Sequence, residues 1–171
     1  MPVASRTPIL LLFLSVLASD AMPPLGAAPG ELQEHTKTLV FRDMLIDQRY
    51  PSMRGPSEEV FFSLDPDHQS RHVWLTRYRA EVLDQDGQVV SDEHMCHVSL
   101  ATIGAPGTAE EQVYRPQLSL SQGQQGIRFP SGYALRLESR PDRLLVMNAM
   151  ALNNNEASVH QNVHFKAEIG Y

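Results

Sequence analysis

The stretch VWLTRYRAEVL at residues 73–83 runs into DQDG at 84–87 and then into QVVSDEHMCHVSLA at 88–101. In the first segment Trp74, Tyr78, Ala80 and Val82 recur on one face, while Arg77, Arg79 and Glu81 occupy the other. A period of two with one apolar side is the pattern of a half-buried strand. The Asp86-Gly87 pair supplies the positive φ that a tight hairpin needs. The sequence therefore predicts Val73–Leu83 and Gln88–Ala101 as antiparallel neighbours, with Trp74, Tyr78 and Val82 in the core.

Working outward, further strands are expected at Val113–Leu120, Tyr133–Glu138, Arg143–Leu152 and Val159–Ile169. They are separated by Pro130-Ser131-Gly132, Arg140-Pro141-Asp142 and Asn153-Asn154-Asn155, all turn-forming residues. Leu144–Leu152 (LLVMNAMAL) is apolar on both faces, as suits a central strand covered by a second sheet. In the terminal strand Val163, Phe165, Ala167 and Ile169 alternate with Asn162, His164, Lys166 and Glu168, which leaves one wet face. Short strands at regular spacing without a helical stripe predict an all-β fold: a single antiparallel β-sandwich, jelly-roll-like in its winding.

The 171 residues carry 20 acidic and 14 basic side chains, a formal charge of −6 with no Lys/Arg-rich run. That balance argues against a nucleic-acid partner, which needs a clustered positive face. Near the N-terminus Arg6 precedes the apolar run Pro8–Ala18 and the small residues Ser19 and Ala21, the pattern of a cleaved signal peptide. The run is about ten residues, against the roughly 20 that a membrane-crossing helix needs. The expected organisation is a signal peptide at 1–21, a Pro/Gly/Ala-rich flexible lead-in at 22–36 and a β-sandwich at 37–171, in a secreted or periplasmic protein with no permanent membrane span.

The densest group of potential ligands is Asp92-Glu93-His94-Met95-Cys96-His97. Thiol, thioether and imidazole together favour copper, above all Cu(I). Strict alternation puts Cys96 with Val98 and Leu100 on the core face and His97 on the other, so one ion can meet both only across a β-bulge. Cys96 is the only cysteine and has no disulfide partner within the chain, which leaves burial, metal or oxidation as its fates. His160 and His164 are four apart, roughly 13 Å along an ideal strand, so each is a candidate third donor only singly. His68 and His72 flank a polar loop, Met147 and Met150 fall on opposite faces of an apolar strand and read as core filling, and Asn148 among apolar neighbours reads as a polar pin in the core. Asp84 and Asp86, like Asp65 and Asp67, sit beside turn residues and read as Asx turns. The motifs G-x-S-x-G, H-E-x-x-H and C-x-x-C and a glycine-rich phosphate loop do not occur.

The stretch VWLTRYRAEVLDQDGQVVSDEHMCHVSL at 73–100 resembles the N-terminal copper domain of the peptidylglycine alpha-hydroxylating and dopamine beta-monooxygenase family, in which a return strand presents adjacent histidines to copper. FPSGYALRLESRPDRLLVMNAMALNN at 129–154 resembles a later strand pair of the same domain. The resemblance implies a copper ion with Cys96 at the first histidine position and His97 at the second; it does not specify the third ligand, for which His160 or His164 is the candidate. The monooxygenases use two such domains. The expectation here is thus an exported single-domain module that binds metal or a protein partner rather than an enzyme, with a subunit or fragment of a copper redox enzyme, or a metal-free interaction domain, as alternatives.

Overall fold

The computed structural model describes residues 34–67, 72–109, 111, 113–138, 140–155 and 160–171. The expected signal peptide, most of the lead-in, His68 and Val159 lie outside the described residues. Ten antiparallel strands follow in order: β1 (Thr36–Ile46), β2 (Ser57–Phe62), β3 (His72–Leu75), β4 (Arg77–Leu83), β5 (Met95–Gly104), β6 (Arg115–Leu120), β7 (Gly126–Arg128), β8 (Leu135–Glu138), β9 (Arg143–Ala151) and β10 (Gln161–Gly170). β1 pairs with β10, β2 with β9, β3 with β8, β4 with β7 and β5 with β6, so the chain is one long hairpin whose tip joins β5 to β6. That ribbon is rolled up until β10 also meets β4 and β9 also meets β5. The result is two four-stranded sheets, β1-β10-β4-β7 and β2-β9-β5-β6, with β3-β8 as a separate two-stranded ribbon. This is the expected all-β sandwich, wound as a jelly roll.

The inner faces explain why these partners pair. Tyr78, Ala80 and Val82 of β4 sit opposite Ile169, Ala167 and Phe165 of β10, and all six are at most 1% exposed. Across the sandwich they meet Val98, Leu100, Met147 and Ala149 from β5 and β9 in one core cluster. The Tyr78 hydroxyl crosses the core and donates to the Val98 carbonyl at 2.9 Å, tying the two sheets together. β9 is central and apolar, as expected; β10 keeps its wet face, where Lys166 lies opposite Glu81 and Glu168 opposite Arg79. Opposed charges of this kind hold a solvated sheet face in register.

Two expectations are corrected. The segment 73–83 is two strands broken at Thr76, whose N–H donates to the Gly170 carbonyl and whose own carbonyl accepts from Phe129. The break shifts the alternation by one residue. In β3 it is Leu75 that is buried, and Trp74 is 54% exposed instead of lying with Tyr78 and Val82. The expected pairing of the two segments also ends almost where it starts. The Asp84–Gln88 turn forms, with Asp84 Oδ1 accepting from the N–H groups of Asp86 and Gln88 and with Gly87 at φ +77. Past Val90, which still donates to the Val82 carbonyl, the chain enters a 3-10 turn at Asp92–His94 capped by Ser91. It then crosses to the other sheet, so β4 is flanked by β10 and β7, not by the return strand.

A bulge-built candidate metal site

The site begins with a register fault. Met95 pairs with Ala151 and His97 with Met150, so two steps along β5 match one along β9 and Cys96 is the extra residue. An inserted residue bends a strand and redirects its side chains. Met95 takes the core position at 0% exposure, Cys96 is turned to a half-buried surface position, and Val98 and Leu100 stay inside. Cys96 is therefore not the core thiol that strict alternation implies. The bulge is the irregularity that lets adjacent Cys96 and His97 share one side of the sheet, and both line an open hollow with Ser52, Met53, Tyr114 and Ser119.

His97 is held from behind. Its Nε2 lies 2.8 Å from Asn148 Oδ1, and Asn148 Nδ2 donates to Glu59 Oε1 at 3.3 Å. The carboxylate can only accept, so the Asn148 amide presents its oxygen to the ring and His97 must carry its proton on Nε2. In the neutral ring that leaves the lone pair on Nδ1, which has no hydrogen-bond partner among the described residues. Register puts Glu59, Asn148 and Ser99 side by side across β2, β9 and β5. Asn148 is thus on the outer face of the sheet, between two polar neighbours, rather than a pin in the core. Met150 lies directly opposite His97, and the full burial of Ala149 and Ala151 turns Met150 outward. Met147, of opposite phase, is fully buried, as the sequence predicts.

Ser52 Oγ stands 3.9 Å from the Cys96 sulfur. Burial and then the negative charge of Glu59 push the Tyr114 phenol above its ordinary pKa, so it remains a neutral hydroxyl at the rim. The other sequence candidates go elsewhere. His164 projects from β10 in the opposite sheet, and its Nδ1 accepts from the Asp43 N–H at 3.0 Å. His160 is exposed just ahead of β10. No group of three or more His, Cys, Asp or Glu side chains able to hold a metal ion occurs among the described residues. His72 is half-buried on the β3-β8 ribbon, opposite Glu138.

The hollow is lined by a thiol from Cys96, an imidazole from His97 and a thioether from Met53, and Met150 adds a second thioether on the same outer face as the register partner of His97. This set fits a soft monovalent ion such as Cu(I) better than a hard, oxygen-seeking cation. Met53 is a lining residue that sequence reasoning missed, and Met150, which reads there as core filling, is half-buried on the outer face instead. Met150 was visible only as half of an apolar strand, and Met53 lies in a segment with no periodic signal. No protein-family model matches the chain, and no curated protein is similar to it.

Proposed function

We propose that this chain is an exported β-sandwich module that binds Cu(I) on the outer face of the β2-β9-β5-β6 sheet, through Cys96 and His97 with the Met150 thioether as third donor. The bulge at Cys96 carries the reading, because it converts a pair that alternation would separate into a pair on one face. Cys96 contributes a thiolate on binding, His97 contributes Nδ1, and the Glu59–Asn148 chain keeps the ring proton on Nε2 and the ring in place. Bound copper supplies a soft, redox-active ion at a position open to solvent or to a partner protein. Among the described residues no helix is long and apolar enough to cross a membrane. Export rests on the Pro8–Ala18 run, and N-terminal sequencing of secreted protein should find Met22 or a close neighbour first.

The test is competition for Cu(I) under reducing, anaerobic conditions. Cys96→Ser and His97→Ala should each lose more than the roughly 10–100-fold typical of a supporting residue. His160→Ala and His164→Ala should bind as the parent does. If the parent competes no better than Cys96→Ser, the copper reading is wrong.

A further inference from the structure

The segment between β1 and β2 passes beside this hollow, and its backbone is fastened on both sides. Tyr50 and Asn153 exchange backbone hydrogen bonds of 2.8 and 3.2 Å, and the Ala151 N–H donates to Pro56 at 2.9 Å. Gly55 lies so close to the end of β9 that a Cβ there would stand 1.9 Å from the Ala151 carbonyl oxygen. Between these anchors the Arg54 N–H closes a four-residue turn on the Pro51 carbonyl at 3.1 Å. The third residue of that turn, Met53, has φ +65. A turn of this form asks for glycine or asparagine at its third position, because a side chain there crowds the backbone. Met53 nonetheless occupies it, 65% exposed, with no core packing to compensate. It lines the same hollow as Cys96 and His97.

We infer that residues 51–56 form a strap that presents the Met53 thioether to the Cys96–His97 pair as a further Cu(I) donor, and that methionine stands at a glycine position for that reason. The inference rests on the copper reading above and adds to it a ligand from outside the sheet. Strain held at one residue by a clamped loop is a common mark of a functional position. A thioether is the neutral, soft donor that suits Cu(I), and a long unbranched side chain reaches across an open hollow without needing the strap to move. Because its anchors are backbone contacts to Ala151 at the end of β9 and to Asn153 just past it, the strap is held at the same end of β9 that carries Met150.

The experiment compares the parent with Met53→Gly, Met53→Leu and Cys96→Ser, using Cu(I) alone as the ligand. In the metal-free protein Met53→Gly should melt at the same temperature as the parent or higher, because glycine relieves the turn. With Cu(I), Met53→Gly and Met53→Leu should each lose about tenfold or more in affinity, in the range of a contributing donor. In protein labelled with ¹³C at the methionine methyls, the Met53 resonance should shift on adding one equivalent of Cu(I). Parent-like affinity in both Met53 variants, alongside a loss in Cys96→Ser, would remove Met53 from the site and leave the copper site standing. Parent-like affinity in Cys96→Ser as well would remove both readings. A marked drop in the melting temperature of metal-free Met53→Gly would show that the side chain is there to hold the loop, and would overturn the inference on that ground.

Discussion

Each of the two four-stranded sheets has a β-bulge beside a histidine, and the two histidines do opposite things. In β1 the register slips between Phe41 and Met44, and the irregular backbone puts Asp43 at φ +60. His164 from the neighbouring strand spends its Nδ1 on the Asp43 N–H, so that bulge is closed by its histidine. In β5 the slip falls between Met95 and His97, and the histidine is part of the bulge itself. There Asn148 takes Nε2, Nδ1 has no partner among the described residues, and the ring lines a hollow that the half-buried Cys96 also lines. The surroundings differ in the same sense: β10 and β4 carry a ladder of opposed charges, including Lys166 with Glu168 at 2.8 Å, whereas the hollow that His97 lines carries serines, a thioether and a phenol beside the thiol. A histidine next to a bulge is therefore no sign of function in itself. What matters is which ring nitrogen the fold has already used.

The shared core is the strongest place to break the comparison. Val82 is 1% exposed and faces Phe165, so Val82→Asp should cost about 3–5 kcal/mol and remove both bulges together, as chemical denaturation would show. A parent-like unfolding midpoint would contradict the packing described. Next comes Tyr78→Phe, which deletes the hydroxyl that holds the Val98 carbonyl one residue past the β5 bulge. It should cost about 1–2 kcal/mol, and if the bulge depends on this tie it should lower Cu(I) affinity while leaving the Asp43–His164 contact intact.

A reciprocal pair of variants sharpens the contrast. Asn148→Ala releases the His97 ring and should weaken Cu(I) binding about 10–100-fold with little effect on melting. His164→Ala should do the reverse, with unchanged copper binding and a stability loss of only about 0.5–1 kcal/mol, because the exposed Asp43 N–H can turn to water. Equal effects of the two on copper affinity would erase the distinction between the bulges. The smallest effect concerns Asp92, in the turn that leads into β5. Its carboxylate accepts from the Gly123 N–H at 2.7 Å, and this hydrogen bond, followed by one from Gln125, holds its pKa below the ordinary 3.8. A depressed pKa stabilises the fold above the ordinary value and stops doing so as the pH falls through the folded-state value. Acid unfolding of Asp92→Asn should therefore lack that component, with a shallower loss of stability below about pH 4 than the parent shows.

Alternation and turn chemistry made much of this protein legible in its sequence. The central strand at 143–151, the wet-faced strand ending at Gly170, the Asx turn at Asp84 and the all-β class all follow from residue spacing, because side-chain period and turn dihedrals are local properties. A period of two assigns faces but not partners. Only the rolled hairpin decided that β4 lies between β10 and β7 and that β5 belongs to the opposite sheet. Nor does periodicity survive a single irregular residue: the break at Thr76 exposed Trp74, and the extra residue at Cys96 turned a core position outward. The pair Cys96 and His97 was readable as chemistry from residue type alone. Its geometry came from residues 37 to 52 positions away, with Glu59 and Asn148 aligned by strand register and Met53 delivered by a clamped loop, because distance along the chain says nothing about neighbours across a sheet.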